Sequence, residues 1–261
     1  MLLAVDVGNT QTVIGLYGND QHSHELVDHW RIATKAERTS DEHALLFQEF
    51  LSFAGHDWKT DIRGVAISSG VPMVTFELRR MCERYLGIEP VVLGTGVRTG
   101  MPVLYDNPKE VGADRIANAV GAFDLYGGPT IVVDFGTATT FDVISPNGEY
   151  LGGAIVPGIE ISLDALFGRA AALRRVELVE PRSVIGKTTV ESVQSGTLYG
   201  YSALVDGMCD RIEAQVGEAS IIATGGLADL ISPLAESIEH VEPWLTLHGL
   251  RLIWEKNHGD R

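Results

Sequence analysis

Short apolar runs broken by glycine-bearing turns mark both the beginning and the middle of this chain. Leu2-Leu3-Ala4-Val5-Asp6-Val7 is apolar at nearly every position, the pattern of a buried strand, with one acid near its end. Gly8-Asn9-Thr10 is a turn signal and residues 12–17 resume as a strand, so the pair reads as a hairpin. The alternation in Trp30-Arg31-Ile32-Ala33-Thr34 predicts a third strand. Thr39-Ser40-Asp41-Glu42 then supplies an N-cap hydroxyl and first-turn acids to a helix predicted through Phe53. Residues 63–69 read as a strand, 72–86 as a helix and 91–93 as a strand, and a further helix begins at Gly112.

A second series starts at Thr130. Ile131-Val132-Val133-Asp134 is a strand ending in an acid, Phe135-Gly136-Thr137 the turn, and residues 139–144 the returning strand. Residues 150–155 follow as a strand, 188–216 as a long helix, 221–224 as a strand and 245–257 as a terminal helix. Asp6-Val7-Gly8-Asn9-Thr10-Gln11-Thr12 can be laid over Asp134-Phe135-Gly136-Thr137-Ala138-Thr139-Thr140, each after one apolar strand and before another. A repeat of this size predicts an α/β protein of two related halves, residues 1–117 and 118–261, facing each other across a cleft.

Composition narrows the function. Lys and Arg number 20 against 35 Asp and Glu, a formal net charge of −15. Such a surface repels phosphate backbones and anionic lipid, so neither nucleic acid nor membrane is an expected partner. The N-terminus has no basic segment before its short apolar run, and no stretch approaches the roughly 18 apolar residues of a spanning helix. Cys82 and Cys209 are isolated, which predicts neither a disulfide framework nor a cysteine metal site. The expectation is a soluble, cytoplasmic protein.

The chemistry is expected at the two acid–x–glycine turns. Glycine at a hairpin tip lets backbone N–H groups approach a phosphate with no Cβ in the way, and Thr10, Thr12 and Thr137 add hydroxyl donors. A strand-end Asp can hold a hydrated Mg²⁺ or a bare cation against phosphate oxygens. Neither hairpin carries Lys or Arg, so the charge that neutralises a bound polyphosphate must come mainly from metal ions.

These turns resemble the phosphate loops of the acetate and sugar kinase, heat-shock chaperone and actin superfamily, and within it the type III pantothenate kinase family. The resemblance spans nearly the whole chain. It is carried by both turns, by Asn107-Pro108-Lys109-Glu110-Val111-Gly112-Ala113-Asp114-Arg115, and by Gly152-Gly153-Ala154-Ile155-Val156-Pro157-Gly158. Gly186-Lys187-Thr188-Thr189 and Ala223-Thr224-Gly225-Gly226-Leu227-Ala228 also match. It implies two actin-like (ribonuclease H-like) halves with ATP in the cleft, and phosphorylation of pantothenate as the first step towards coenzyme A. It implies ATP contacts at Asp6, Val7, Gly8, Asn9, Thr10, Gln11, Thr12, Val13 and Thr137, with Mg²⁺ oriented through water by Asp6. Asp134 would hold K⁺ or NH₄⁺. Asp114 would be the general base, and Tyr105, Gly112, Ala113, Asp114 and Arg115 would bind pantothenate, joined by Thr189 from the partner chain of a homodimer. On its residues alone Asp114 could equally decorate a helix start. A kinase of another small hydroxylated acid and a non-catalytic transcription accessory regulator remain rival readings.

Other signals are weaker. Gly186-Lys187-Thr188 imitates the end of a P-loop, but Pro181 stands where that pattern needs glycine. Gly94-Thr95-Gly96 lacks the third glycine of a dinucleotide turn. His22 and His24 read as solvated loop residues, and Arg79-Arg80 and Arg174-Arg175 as solvated faces. Gly196, Gly200 and Gly207 fit either a core helix or a close helix–helix contact.

Overall fold

The computed structural model describes residues 1–18, 25–170 and 173–258; His22 and His24 lie outside them. The chain divides into two compact units. The first comprises Met1–Pro102, Asp106–Gly121 and Leu245–Arg261, the second Val103–Tyr105 and Ala122–Trp244.

In the first unit, β1 (Leu2–Val7), β2 (Gln11–Tyr17), β3 (Leu26–Ala33), β4 (Gly64–Ser69) and β5 (Val91–Val92) form one sheet in the order β3-β2-β1-β4-β5. β1 lies at its centre, antiparallel to β2 and parallel to β4. This explains the unbroken apolar run: a strand covered on both faces has no solvent side to encode. Helix α1 (Ser40–Phe53) is opened by Thr39, whose side chain accepts from Glu42 N–H while the Glu42 carboxylate accepts from Thr39 N–H. His43, Ala44, Phe47 and Leu51 form its buried stripe. Helix α2 (Pro72–Met81) continues as a π-helical turn through Leu86.

The second unit repeats this plan. Helix α3 (Ala113–Tyr126) leads from the first unit into β6 (Thr130–Phe135), followed by β7 (Ala138–Ile144), β8 (Tyr150–Pro157) and α4 (Ile159–Arg169). Helix α5 (Thr189–Val216), β9 (Ser220–Thr224), α6 (Ala228–Ile231) and β10 (His240–Val241) follow, with sheet order β10-β9-β6-β7-β8. β6 is antiparallel to β7 and parallel to β9, as β1 is to β2 and β4. The expectation had no element at α4. Ile161 is exposed opposite buried Ile159 and Leu163, so apolar residues on both faces blur the helical period.

The boundary at 117/118 differs from this partition at the C-terminus. The terminal helix α7 (Leu245–His258) belongs to the first unit, against β1, β2 and β4. Its contacts demand glycine: a Cβ on Gly64 would stand 2.3 Å from the Trp254 ring, and one on Gly15 2.7 Å from Leu247. A Cβ on Gly249 would fall 1.8 Å from the Ala117 carbonyl oxygen, so α7 crosses the start of α3 backbone to backbone. Thr246 Oγ1 donates to Asn118 Oδ1 at 2.6 Å beside that crossing.

Candidate active site

At the first hairpin, Gly8 N–H donates to Gln11 O at 3.0 Å and closes a tip whose Asn9, Thr10 and Gln11 are exposed. Asp6 is half-buried at the end of β1, opposite Val13 on β2, and Val7 pairs with Thr12. Thr34, just beyond β3, reaches across: its N–H donates to Thr10 O at 2.9 Å and its hydroxyl to Gly8 O at 2.8 Å. Since a hydroxyl carries one proton, the 2.8 Å contact between the Thr12 and Thr34 hydroxyls has Thr12 as donor. The sequence singled out Thr34 only as the end of a strand.

At the second hairpin, Gly136 N–H donates to Ala138 O at 3.1 Å. Asp134 pairs with Thr140 and Phe135 with Thr139. Asp6 pairs with Val13 and Val7 with Thr12, so the sequence superposition slips by one residue beyond the turn. Thr12 matches Thr139, Gln11 matches Ala138, and the first tip is one residue longer. Gly158 takes the place of Thr34 and donates its N–H to Thr137 O at 3.2 Å. A Cβ there would stand 2.3 Å from Thr137 O and 2.6 Å from Gly136 O. Gly225, at φ +93°, packs as closely on the other side: its Cβ would be 2.5 Å from Asp134 Oδ1. The family-matched segment from Ala223 to Ala228 therefore abuts the second acid.

The residues 112–115 open α3. Asp114 is exposed and its Oδ1 accepts from Arg115 N–H at 2.9 Å, while the Arg115 side chain is buried. Glycine at 112 makes room for that carboxylate itself, since a Cβ would meet Asp114 Oδ1 at 2.4 Å. Ala113 is half-buried.

Tyr105 lies in the second unit, tilted on Tyr150 at 6.5 Å between ring centroids and 3.5 Å from where a Gly152 Cβ would be. The Tyr150 hydroxyl donates to buried Asp142 at 2.7 Å, and Thr140 donates to the other carboxylate oxygen at 3.1 Å. Tyr105 thereby rests on a polar network rooted in β7, which no local sequence pattern announced. Thr189 is exposed as the first residue of α5, whose N-cap Thr188 accepts from Glu191 N–H at 3.2 Å. The Arg182 guanidinium and Lys187 N–H hold the Glu191 carboxyl below its ordinary value. Thr189 borders an open groove of about 410 Å³ lined by α4 and α5, including Leu163, Val193 and Gly196.

The two strand ends offer carboxylate oxygens and neighbouring hydroxyls, with no thiolate or imidazole, which suits hard cations such as Mg²⁺ and K⁺. Among the described residues no three or more His, Cys, Asp or Glu gather into a metal cage. A divalent ion would therefore draw most of its ligands from substrate and water.

Paired sheets of matching topology, each with an acid at the end of its central strand and a glycine at the hairpin tip, define the actin-like α/β class of two similar halves. The Clostridium difficile activator of 2-hydroxyisocaproyl-CoA dehydratase, solved with bound ADPNP, shares the fold with a TM-score of 0.57 at 13% identity, over 99% of this chain and 96% of that one. The family profile described as type III pantothenate kinase matches residues 2–211. The type III pantothenate kinase of Moorella thermoacetica is 53% identical over 258 residues, covering 98% of this chain and 100% of that protein. That of Streptomyces griseus is 54% identical over 265 residues, covering 98% of each. The chain belongs to the type III pantothenate kinase family.

Proposed function

We propose that this chain transfers the γ-phosphoryl group of ATP to pantothenate, giving 4′-phosphopantothenate and ADP at the first step of coenzyme A synthesis. Its identity of about one half with full-length family members supports this activity. The structural observation that carries the assignment of the base is the exposed Asp114 carboxylate, aimed by Arg115 N–H in the space that Gly112 leaves.

In this reading the primary hydroxyl of pantothenate attacks the γ-phosphorus, the bond to the β–γ bridging oxygen breaks, and ADP leaves. Asp114 accepts the hydroxyl proton late in a loose transition state. Tyr105, Gly112, Ala113, Arg115 and Thr189 orient pantothenate. The stretch from Asp6 to Val13, with Thr137, contacts ATP through backbone N–H groups and the exposed Thr10 and Thr137 hydroxyls; the Thr12 hydroxyl, expected as a third donor, is buried and spent on Thr34. Asp6 would orient through water the Mg²⁺ that travels with the nucleotide and that would supply the charge to neutralise its phosphates, and Asp134 would hold K⁺ or NH₄⁺. The absence of Lys and Arg from both hairpins favours this division.

The active form is a homodimer in which Thr189 serves the partner's site. Two features support this: Thr189 is exposed, and among the described residues nothing beyond the helix's own neighbouring backbone lies within 4 Å of a Cβ built on Gly196 or Gly200. The protein works in the cytoplasm, where ATP is available and thiols such as buried Cys82 and Cys209 stay reduced. Among the described residues no helix is long and apolar enough to cross a membrane.

The test couples ADP release to a readout, with and without pantothenate and with and without K⁺. ADP release that depends on pantothenate is expected. Asp114→Asn, which keeps the shape of the site, should lower kcat by roughly 10²–10⁴-fold and leave pantothenate binding intact. Near-normal turnover in this variant would remove Asp114 from the role of base.

A further inference from the structure

We propose that Thr34 is a positioning residue for the nucleotide phosphates, a role that rests on the kinase reading above. From one position just beyond β3 it makes three hydrogen bonds to the first hairpin: N–H to Thr10 O at 2.9 Å, hydroxyl to Gly8 O at 2.8 Å, and hydroxyl from Thr12 at 2.8 Å.

The consequence follows from peptide geometry. In a planar trans peptide the C=O and the next N–H point in opposite directions. Holding the carbonyls of Gly8 and Thr10 on Thr34 therefore turns the N–H groups of Asn9 and Gln11 away from it, on residues that are exposed. It also withdraws two carbonyl oxygens that would repel phosphate, leaving donors to meet the anion.

The second hairpin provides an internal control. Gly158 there supplies the backbone bond, to Thr137 O at 3.2 Å, and has no side chain to meet the buried Thr139 hydroxyl, which has no partner among the described residues. The hydroxyl brace belongs to the tip with the extra residue, where one more pair of free dihedrals must be fixed.

The test uses the full-length protein and compares Thr34→Val, which keeps the shape and removes the hydroxyl, with Thr34→Ser, which keeps the hydroxyl. Mg·ADP binding is titrated without pantothenate, and KM for ATP and for pantothenate are measured separately. Thr34→Val should raise both the Kd for Mg·ADP and the KM for ATP by roughly 10-fold, because a tip no longer held in place must be ordered when the nucleotide binds. KM for pantothenate should stay near wild type, the fall in Tm should not exceed about 5 °C, and Thr34→Ser should recover affinity to within about 2-fold. A Thr34→Val enzyme with wild-type affinity for Mg·ADP, or one in which both KM values rise alike, overturns the proposal. If Thr34→Val does not fold, Thr12→Val, which cuts only the hydroxyl–hydroxyl link, should weaken Mg·ADP binding about 3-fold, and unchanged binding overturns the proposal equally. Failure of the kinase reading looks different: the wild-type protein would bind Mg·ADP without phosphorylating pantothenate.

Discussion

In the first hairpin the buried Thr12 hydroxyl meets Thr34 at 2.8 Å. In the second, Thr139 occupies the matching register position and its buried hydroxyl has no partner among the described residues, because Gly158 stands where Thr34 does. Both tips carry a strand-end acid and a glycine, so the same turn is fastened in two ways. The longer tip uses a side chain as a strut. The shorter one brings its backbone so close to Gly158 that no side chain fits. A repeated motif thus preserves backbone hydrogen bonds more strictly than the side chains around them.

The sharpest way to break the comparison is through the two acids. If Asp6 orients Mg²⁺ and Asp134 holds the monovalent ion, Asp134→Ala should lose roughly 10²-fold in kcat and become insensitive to K⁺. Wild type without K⁺ or NH₄⁺ should be similarly poor. Asp6→Ala should fall as far but keep its K⁺ response and recover in part at high Mg²⁺. Titrating kcat against each cation checks this, and identical responses from the two variants would erase the distinction.

Gly158→Ala tests the tighter fastening. Its Cβ would arrive 2.3 Å from a backbone oxygen that cannot swing aside. The hairpin must shift, with an expected loss of roughly 10–100-fold in kcat/KM and a lower Tm. An Ala variant with wild-type kinetics would show that this approach does not set the position of the second tip.

The units also differ in their response to pH. His43 on α1 is buried with its ring edge-to-face with Phe47, and neither of its ring nitrogens has a partner among the described residues. Burial, with Arg38 nearby, lowers its pKa to about 4, although Glu42 and Glu77 pull the other way. The unfolded chain binds this proton near pH 6.5 and the folded one near 4. The stabilising contribution is therefore complete above about 6.5 and is lost as pH falls towards 4. The helix at the corresponding place in the second unit, α4, has no histidine. His43→Leu should flatten the fall in Tm between those pH values by on the order of 5 °C, measured as a difference from wild type. An unchanged slope would assign the fall to other groups.

The smallest effect has opposite signs in the two hairpins. Thr12→Val leaves the strut without its donor and should cost about 1 kcal/mol. Thr139→Val removes a buried hydroxyl that bonds to nothing, and should be neutral or stabilising by up to about 1 kcal/mol. Equal losses in denaturant titrations would mean that the Thr139 hydroxyl is satisfied in solution.

Much of this architecture was legible because it is local. Period and caps located the hairpins, α1 and α7, and the acids at the two strand ends are visible as acids inside apolar runs. The slip of one residue beyond the turn was not legible, since tips of different length differ only in which carbonyl the glycine N–H reaches. Thr34 and Asp142 escaped notice for a related reason. Thr34 is 26 residues from Gly8, and Asp142 is an ordinary strand residue until Tyr150 and Thr140 close on it.

The sequence by itself determined the two-fold repeat, the acid–glycine turns and the family, because each is written in contiguous residues. Only the tertiary structure decided that α7 returns to the first unit, that Gly112 makes room for Asp114, and that Thr34 and Gly158 are counterparts. Those facts depend on which backbones approach within a Cβ of each other. Residues far apart in the chain settle such distances together, and no window of sequence contains them.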